Sequence, residues 1–411
     1  MNKRYFLSIF LALLLGLGWS LAQAGNLPEN PTFTTLVTTP LVIEGLTGDN
    51  AGNLYTPERN AGAGVRCPVR RVNLAAPALV TVGFIPAPSA ATECSPSGIA
   101  FNDTRDLFVA DGSRILTFTP SAAAPPTAVV YATGVPGTNG VAFDRDGNLW
   151  TGDGTTGQGR VWRIGPGGGD CTPATLFNCV EVFRVQPMAN EVNVVAGVGG
   201  VGRDVRTLPP GTITVTPTSR NAANTAGSQP LVANGLAFNQ AGDLFIADTA
   251  RGAIWRAQFK DGKLTNETNC DTTFTPNTLC LDSVFVAHPY LEGADGMVLD
   301  TDENIWVSAN ERNAIVVVSK EGRVTEVFRN PVNAAGLRNS ADPAVGNNHI
   351  LEFPASPFIS GKTFCTSNSD GNRRDNSPAS AGEIAPAGPS RGKISCIDQE
   401  LDIPGLPLPV R

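Results

Sequence analysis

The sequence predicts an all-β chain folded as a six-bladed β-propeller, with four-stranded antiparallel blades and a ring closed by an N-terminal strand. Three observations predict it. A hairpin unit recurs five times in register, further β-rich runs follow most copies, and a spare strand precedes the first copy.

The five copies are "EGLTGDNAGNLYTPE" from Glu44, "SGIAFNDTRDLFVAD" from Ser97, "NGVAFDRDGNLWTGD" from Asn139, "NGLAFNQAGDLFIAD" from Asn234 and "DGMVLDTDENIWVSA" from Asp295. The second place is always Gly, the third apolar, the sixth Asp or Asn, the eleventh Leu or Ile, and the twelfth Tyr, Phe or Trp. Short apolar runs joined through Asp/Asn and usually Gly read as two antiparallel strands with a tight connection, because those residues tolerate turn dihedrals that β-branched ones resist. Third strands follow in "RILTFTP", "RVWRIGP", "AIWRAQF" and "AIVVVSK", and fourth strands in "AVVYATG", "VEVFRVQ", "DSVFVAH" and "VTEVFRN". The wide gap between the third and fourth copies needs an insertion, which residues 186–230, rich in Gly, Thr, Pro and Asn, supply as a loop or lid. A degenerate sixth unit runs from Asn347 through "FPASPFISGKTFCTS" and is completed by "RGKISCID". The spare strand "TFTTLVTTPLVI" is expected to pair with that last blade and remove an exposed edge. A β-sandwich would not require one hairpin grammar to repeat.

Residues 1–24 read as a secretory signal peptide: Lys3 and Arg4, an apolar run from Phe6 to Leu21, then Ala22-Gln23-Ala24. Residues 25–411 then form a single propeller domain, secreted or periplasmic, with no membrane span once the signal is removed. The whole chain carries a net charge of −7, and loss of two cations with the signal makes it more acidic, which argues against nucleic acid as a partner. The 8 cysteines fall in neighbouring pairs, Cys67/Cys94, Cys171/Cys179, Cys270/Cys280 and Cys365/Cys396, and an even count in an exported chain suggests disulfides. Local pairing is the simplest connectivity, although sequence alone does not fix it. No pair has the spacing of a zinc site, and His288 and His349 read as surface or packing residues.

In a propeller, a position that repeats in sequence becomes a ring in space. The first place of the hairpin holds Glu44, Ser97, Asn139, Asn234 and Asp295, each with a side-chain oxygen. An all-oxygen set with two carboxylates suits calcium, whereas zinc or copper would favour nitrogen or sulfur. The competing reading is that polar residues before Gly merely begin a strand. "GVGGVG" from Gly197 lacks the Lys-Ser/Thr or βαβ setting of a phosphate loop and reads as a flexible loop.

"EGLTGDNAGNLY", "NGVAFDRDGNLW", "NGLAFNQAGDLFIADT" and "DGMVLDTDENIWVSANERNAIVVV" resemble the regucalcin/gluconolactonase family of calcium-dependent six-bladed propellers. The resemblance implies one divalent ion in the channel, usually calcium, bound by Glu44, Asn139, Asn234 and Asp295. It also implies hydrolysis of a small lactone or other ester by a protein expected to be monomeric, with the ion as Lewis acid and Asp295 as acid/base or nucleophile. Ser97, in the second unit, is a substrate-binding candidate. Sugar-lactone members place an Arg two residues before the third-unit Asn, where this chain has Gly137, so a less hydroxylated lactone or ester is expected. Two alternatives remain at this point: a non-catalytic propeller of the NHL type binding protein or glycan, and, ranked below it, a lyase or synthase on a similar frame.

Overall fold

A computed structural model describes residues 27–49, 51–172, 178–186, 232–272, 274–330, 350–369 and 391–410. Six small antiparallel sheets are arranged around one axis, and helix among the described residues is confined to three-residue 3-10 turns. The predicted signal peptide, nearly all of the 186–230 insertion, "GVGGVG" and His349 lie outside the described residues.

From the axis outward, blade 1 is Thr47–Gly48, Asn53–Arg59, Cys67–Asn73 and Val80–Ile85, with Val42–Ile43 also pairing onto Asn53–Arg59. Blade 2 is Pro96–Phe101, Leu107–Asp111, Arg114–Phe118 and Val129–Thr133, extended by Gly169–Asp170 in parallel pairing. Blade 3 is Thr138–Phe143, Leu149–Asp153, Arg160–Ile164 and Cys179–Arg184. Blade 4 is Leu236–Phe238, Leu244–Asp248, Ala253–Ala257 and Val284–Ala287, and a small hairpin, Phe259–Lys260 with Lys263–Leu264, is inserted before its last strand. Blade 5 is Ala294–Leu299, Ile305–Ala309, Ala314–Val318 and Val324–Arg329. Blade 6 is Pro354–Ser360, Thr363–Asn368, Lys393–Ile397 and, outermost, Phe33–Thr38. The spare N-terminal strand therefore closes the ring as its repeat pattern predicts, pairing Phe33 with Ile397 and Thr38 with Lys393.

The hairpin grammar has a packing explanation. Second strands are sandwiched between neighbouring blades, so Leu107–Asp111, Leu149–Asp153, Leu244–Asp248 and Ile305–Ala309 are buried on both faces. The twelfth-place aromatic fills the wedge to the next blade. Tyr55 meets Phe101 at 4.9 Å between ring centroids, Phe108 meets Phe143 at 5.0 Å, and Trp150 meets Phe238 at 5.7 Å, all edge-on. Each such pair adds about 0.5–1.5 kcal/mol beyond the area it buries.

All four predicted neighbouring cysteine pairs are disulfides: Cys67–Cys94, Cys171–Cys179, Cys270–Cys280 and Cys365–Cys396. The last joins two adjacent strands of the closing blade. Beyond that blade the chain crosses the turn side of blades 5 and 6, where Leu406 N donates to Leu299 O at 2.8 Å and Gly405 N to Gly361 O at 2.8 Å. Leu408, Pro409 and Val410 then line one end of an axial cavity of about 100 Å³, whose walls are inner-strand residues of all six blades, among them Ile99, Val141, Leu236 and Met297.

Candidate functional site

The second-place glycines explain how the ring closes. A Cβ on Gly45 would collide with the carbonyl oxygen of Ser97, one on Gly98 with that of Asn139, one on Gly140 with that of Asn234, and one on Gly235 with that of Asp295. One on Gly296 would lie 2.6 Å from the oxygen of Ala355. All of these are far inside the carbon contact distance of about 3.5–4.0 Å. Each glycine thus seats its blade against the first-place residue of the next blade, and Gly140 N also donates to Asn234 O at 3.1 Å. Blade 6 uses a different device. Ser356 stands where glycine would, its N–H donates to Ser367 Oγ at 3.0 Å, and that hydroxyl donates to the carbonyl of Glu44. The circuit therefore runs Glu44, Ser97, Asn139, Asn234, Asp295, Ala355 and back to Glu44. All five predicted first-place residues belong to it, and the sixth position carries a methyl group.

Neighbouring groups orient the side chains. Asn234 Nδ2 donates to Thr249 Oγ1 at 3.0 Å, and that hydroxyl donates to Ala294 O at 2.5 Å, so the amide nitrogen faces Thr249 and the amide oxygen faces away from it. Asn310 Nδ2 donates to Asp295 Oδ2 at 2.9 Å, fixing the carboxylate. Ser97 Oγ donates to Thr138 O at 3.1 Å, tying blade 2 to blade 3. Ser97, Asn139, Asn234 and Asp295 are all buried. Glu44 is paired with the guanidinium of Arg59, whose Nη2 donates to Ser95 Oγ at 2.5 Å. His288 stands apart, accepting from Tyr290 N at 3.1 Å and stacking edge-on against that ring. Burial, with the nearby Arg312 charge, lowers its pKa.

A second set of acids stands at the fifteenth place of four units, last in three of the second strands and next to last, as Glu58, in Asn53–Arg59. Glu58 pairs with Arg70 at 3.2 Å, Asp111 with Arg114 at 2.5 Å, Asp153 with Arg160 at 3.5 Å and Asp248 with Arg251 at 2.8 Å. Burial raises the pKa values of Glu58, Asp153 and Asp248, and their arginine partners only partly offset it. The repeated Glu/Asp at that place was a readable signal. Arg59, Thr249 and Asn310 also share a register mark: each stands at the sixteenth place of its unit and contacts the first-place residue of that same unit, whereas Gly112 and Gly154 hold that place in the second and third units.

Two carboxylates and two amides give an oxygen-only donor set whose formal charge of about −2 matches a hard divalent cation, so the residues present suit calcium. Ser97 and Ala355 add no charge.

Residues 192–336 match the family model described as SMP-30/Gluconolactonase/LRE-like region. No curated protein is matched by the sequence. Among solved structures, luciferin-regenerating enzyme is 12% identical with a TM-score of 0.52, covering 91% of this chain and 97% of that one. A calcium-binding protein, regucalcin, from Agrobacterium tumefaciens is 13% identical with a TM-score of 0.51, covering 90% and 95%. The PQQ-bound aldose sugar dehydrogenase of Streptomyces coelicolor is 13% identical with a TM-score of 0.51, covering 91% and 100%. At such identities the likeness is one of fold, and one frame serves different chemistries. The chain thus carries an SMP-30/gluconolactonase/LRE-like region within a six-bladed β-propeller.

Proposed function

We propose that the protein is an exported, calcium-dependent hydrolase of lactones or related esters. The observation that carries the reading is the ring itself: Glu44, Asn139, Asn234 and Asp295 follow one another around a closed circuit in the order and with the donor chemistry that the family resemblance implies. The matched family region, which includes Asn234 and Asp295, supports it. Four disulfides are compatible with an extracellular location, and no helix of the described residues is long and apolar enough to cross a membrane.

Bound calcium would supply Lewis-acid stabilisation of the negative charge that develops on the carbonyl oxygen. Asn139 and Asn234 would contribute neutral oxygens, Glu44 and Asp295 charged ones. Thr249 holds the Asn234 amide with its oxygen directed away from the hydroxyl, which lowers the cost of presenting that oxygen to a cation. Asn310 does the equivalent for Asp295, donating to one carboxylate oxygen. Asp295 is the candidate to accept a proton from the attacking water. A carboxylate shared with a cation is a weak base, so positioning and charge stabilisation would carry most of the acceleration.

The test is to purify the protein, strip it with chelator, and assay aliphatic lactones and aryl esters with and without added calcium. Turnover restored by calcium and lost in Asp295→Asn supports the proposal. Calcium uptake without turnover of any lactone or ester would leave a binding module, and no uptake at millimolar calcium would remove the metal-dependent reading altogether.

A further inference from the structure

Arg59 is the last residue of the strand Asn53–Arg59 and stands opposite Val42 across the sheet. Its guanidinium spans two blades, pairing with the Glu44 carboxylate of blade 1 and donating to Ser95 Oγ, two residues before Ser97 of blade 2. The two charged side chains are 25% and 15% exposed, so the pair is neither sealed in the interior nor freely solvated. Arginine is a fixed cation with a planar fork of donors suited to carboxylates. A divalent ion on Glu44 and a guanidinium on Glu44 compete for the same oxygens, and one arginine reduces the formal charge facing the ion from −2 to about −1.

We infer that Arg59 is a resident counter-ion of the ring: it holds Glu44 until calcium takes that carboxylate, and its fork then receives the carboxylate of the ligand. This rests on the calcium reading above and names the anion that the site would hold. Hydrolysis of a lactone adds water across the acyl C–O bond, which breaks to leave a hydroxyl group and a carboxylic acid that gives its proton to solvent at neutral pH. The ligand class is therefore a small hydroxycarboxylate, and calcium and that anion bind with positive coupling. Because coupling is reciprocal, it can be read entirely from calcium affinity.

The experiment is calorimetric calcium titration of the full protein, at matched free calcium, in chloride, in 4-hydroxybutanoate, and in 4-hydroxybutanamide as the uncharged control. Wild type is expected to bind calcium about fivefold or more tightly in the hydroxycarboxylate than in the amide, the lower end of usual couplings. Arg59→Met is expected to bind calcium roughly tenfold more tightly than wild type in chloride, with no response to the anion. Arg59→Lys keeps the charge without the fork and should fall between, which also serves if the methionine variant folds poorly. If both variants match wild type in affinity and in coupling, the inference is overturned while the calcium reading stands. If wild type binds calcium with the same affinity in all three media, the anion role is overturned. If wild type takes up no calcium, both readings fall together.

Discussion

Trp306 Nε1 donates to Asp300 Oδ2 at 3.0 Å across the hairpin of blade 5. The same pairing recurs as Trp150 Nε1 to Asp144 at 2.8 Å and Tyr55 Oη to Asp49 at 2.9 Å. In each of these units the sixth place is Asp, the tenth Asn, and the twelfth a ring with a donor. Where the sixth place is Asn and the tenth Asp, the ring is Phe: Asn102, Asp106 and Phe108, then Asn239, Asp243 and Phe245. The hairpin keeps one acid and one amide and moves the acid according to whether the aromatic has a proton to give. In the second class the acid turns to other donors, as when Arg256 reaches Asp243 at 2.5 Å.

This pairing predicts a measurable coupling. Trp306→Phe leaves a buried acceptor one donor short and should cost about 1–3 kcal/mol. In a double-mutant cycle with Asp300→Asn the two changes should couple by at least about 0.5 kcal/mol. Urea unfolding of the four proteins measures it, and additive losses would remove the explanation.

Tyr55 gives a pH prediction. Burial, reinforced by its bond to Asp49, pushes the phenol from 10.0 up to about 12. A folded pKa above the unfolded one means that this contribution to stability is fully present below pH 10 and is lost as pH rises through about 12. Phenolate absorbance in wild type against Asp49→Asn should show one tyrosine ionising earlier in the variant.

The seating of blade 4 on blade 5 can be tested at Gly235. Gly235→Ala would drive a methyl group into the Asp295 carbonyl. Overpacking against backbone should cost about 1–3 kcal/mol or more, and calcium affinity should fall with it because Asp295 is displaced. An alanine variant with wild-type melting temperature and calcium affinity would contradict the close approach.

Removing a ligand should act through the ion. In Glu44→Gln and Asp295→Asn, excess calcium should give a much smaller rise in melting temperature than in wild type, whose stabilisation at a hundred times the dissociation constant is about 2.7 kcal/mol. Calcium titration by thermal shift reads this directly, and equal shifts in all three proteins would show the ion bound elsewhere.

The segment that lines the axial cavity should contribute to stability. Val410 is buried in the core that includes Leu406 and Leu299, so Val410→Asp places a charge against apolar walls. A loss of about 2–4 kcal/mol is expected in urea unfolding, more than for an exposed position.

Much of the architecture was legible in the chain. Strand periodicity, turn residues and the twelfth-place aromatic are local requirements that every blade must meet, so they repeat at fixed spacing and reveal the hairpins, the blade count, the closing strand and the neighbouring disulfides. The candidate ring was legible for the same reason, because rotation turns a repeated place into a circle. What the second-place glycine is for was decided only in three dimensions: it yields space to a carbonyl supplied 41 or more residues later in the nearest cases, such as Gly98 and Asn139. The serine pair that replaces glycine in blade 6 and the placement of Leu408, Pro409 and Val410 at the axis belong to the same class, whereas Arg59, Thr249 and Asn310 share the sixteenth place of their units and were marked by register. The serine pair and the axial segment depend on contacts between segments that meet once in the fold and leave no period in the sequence, and only closure of the ring brings those atoms within reach of one another.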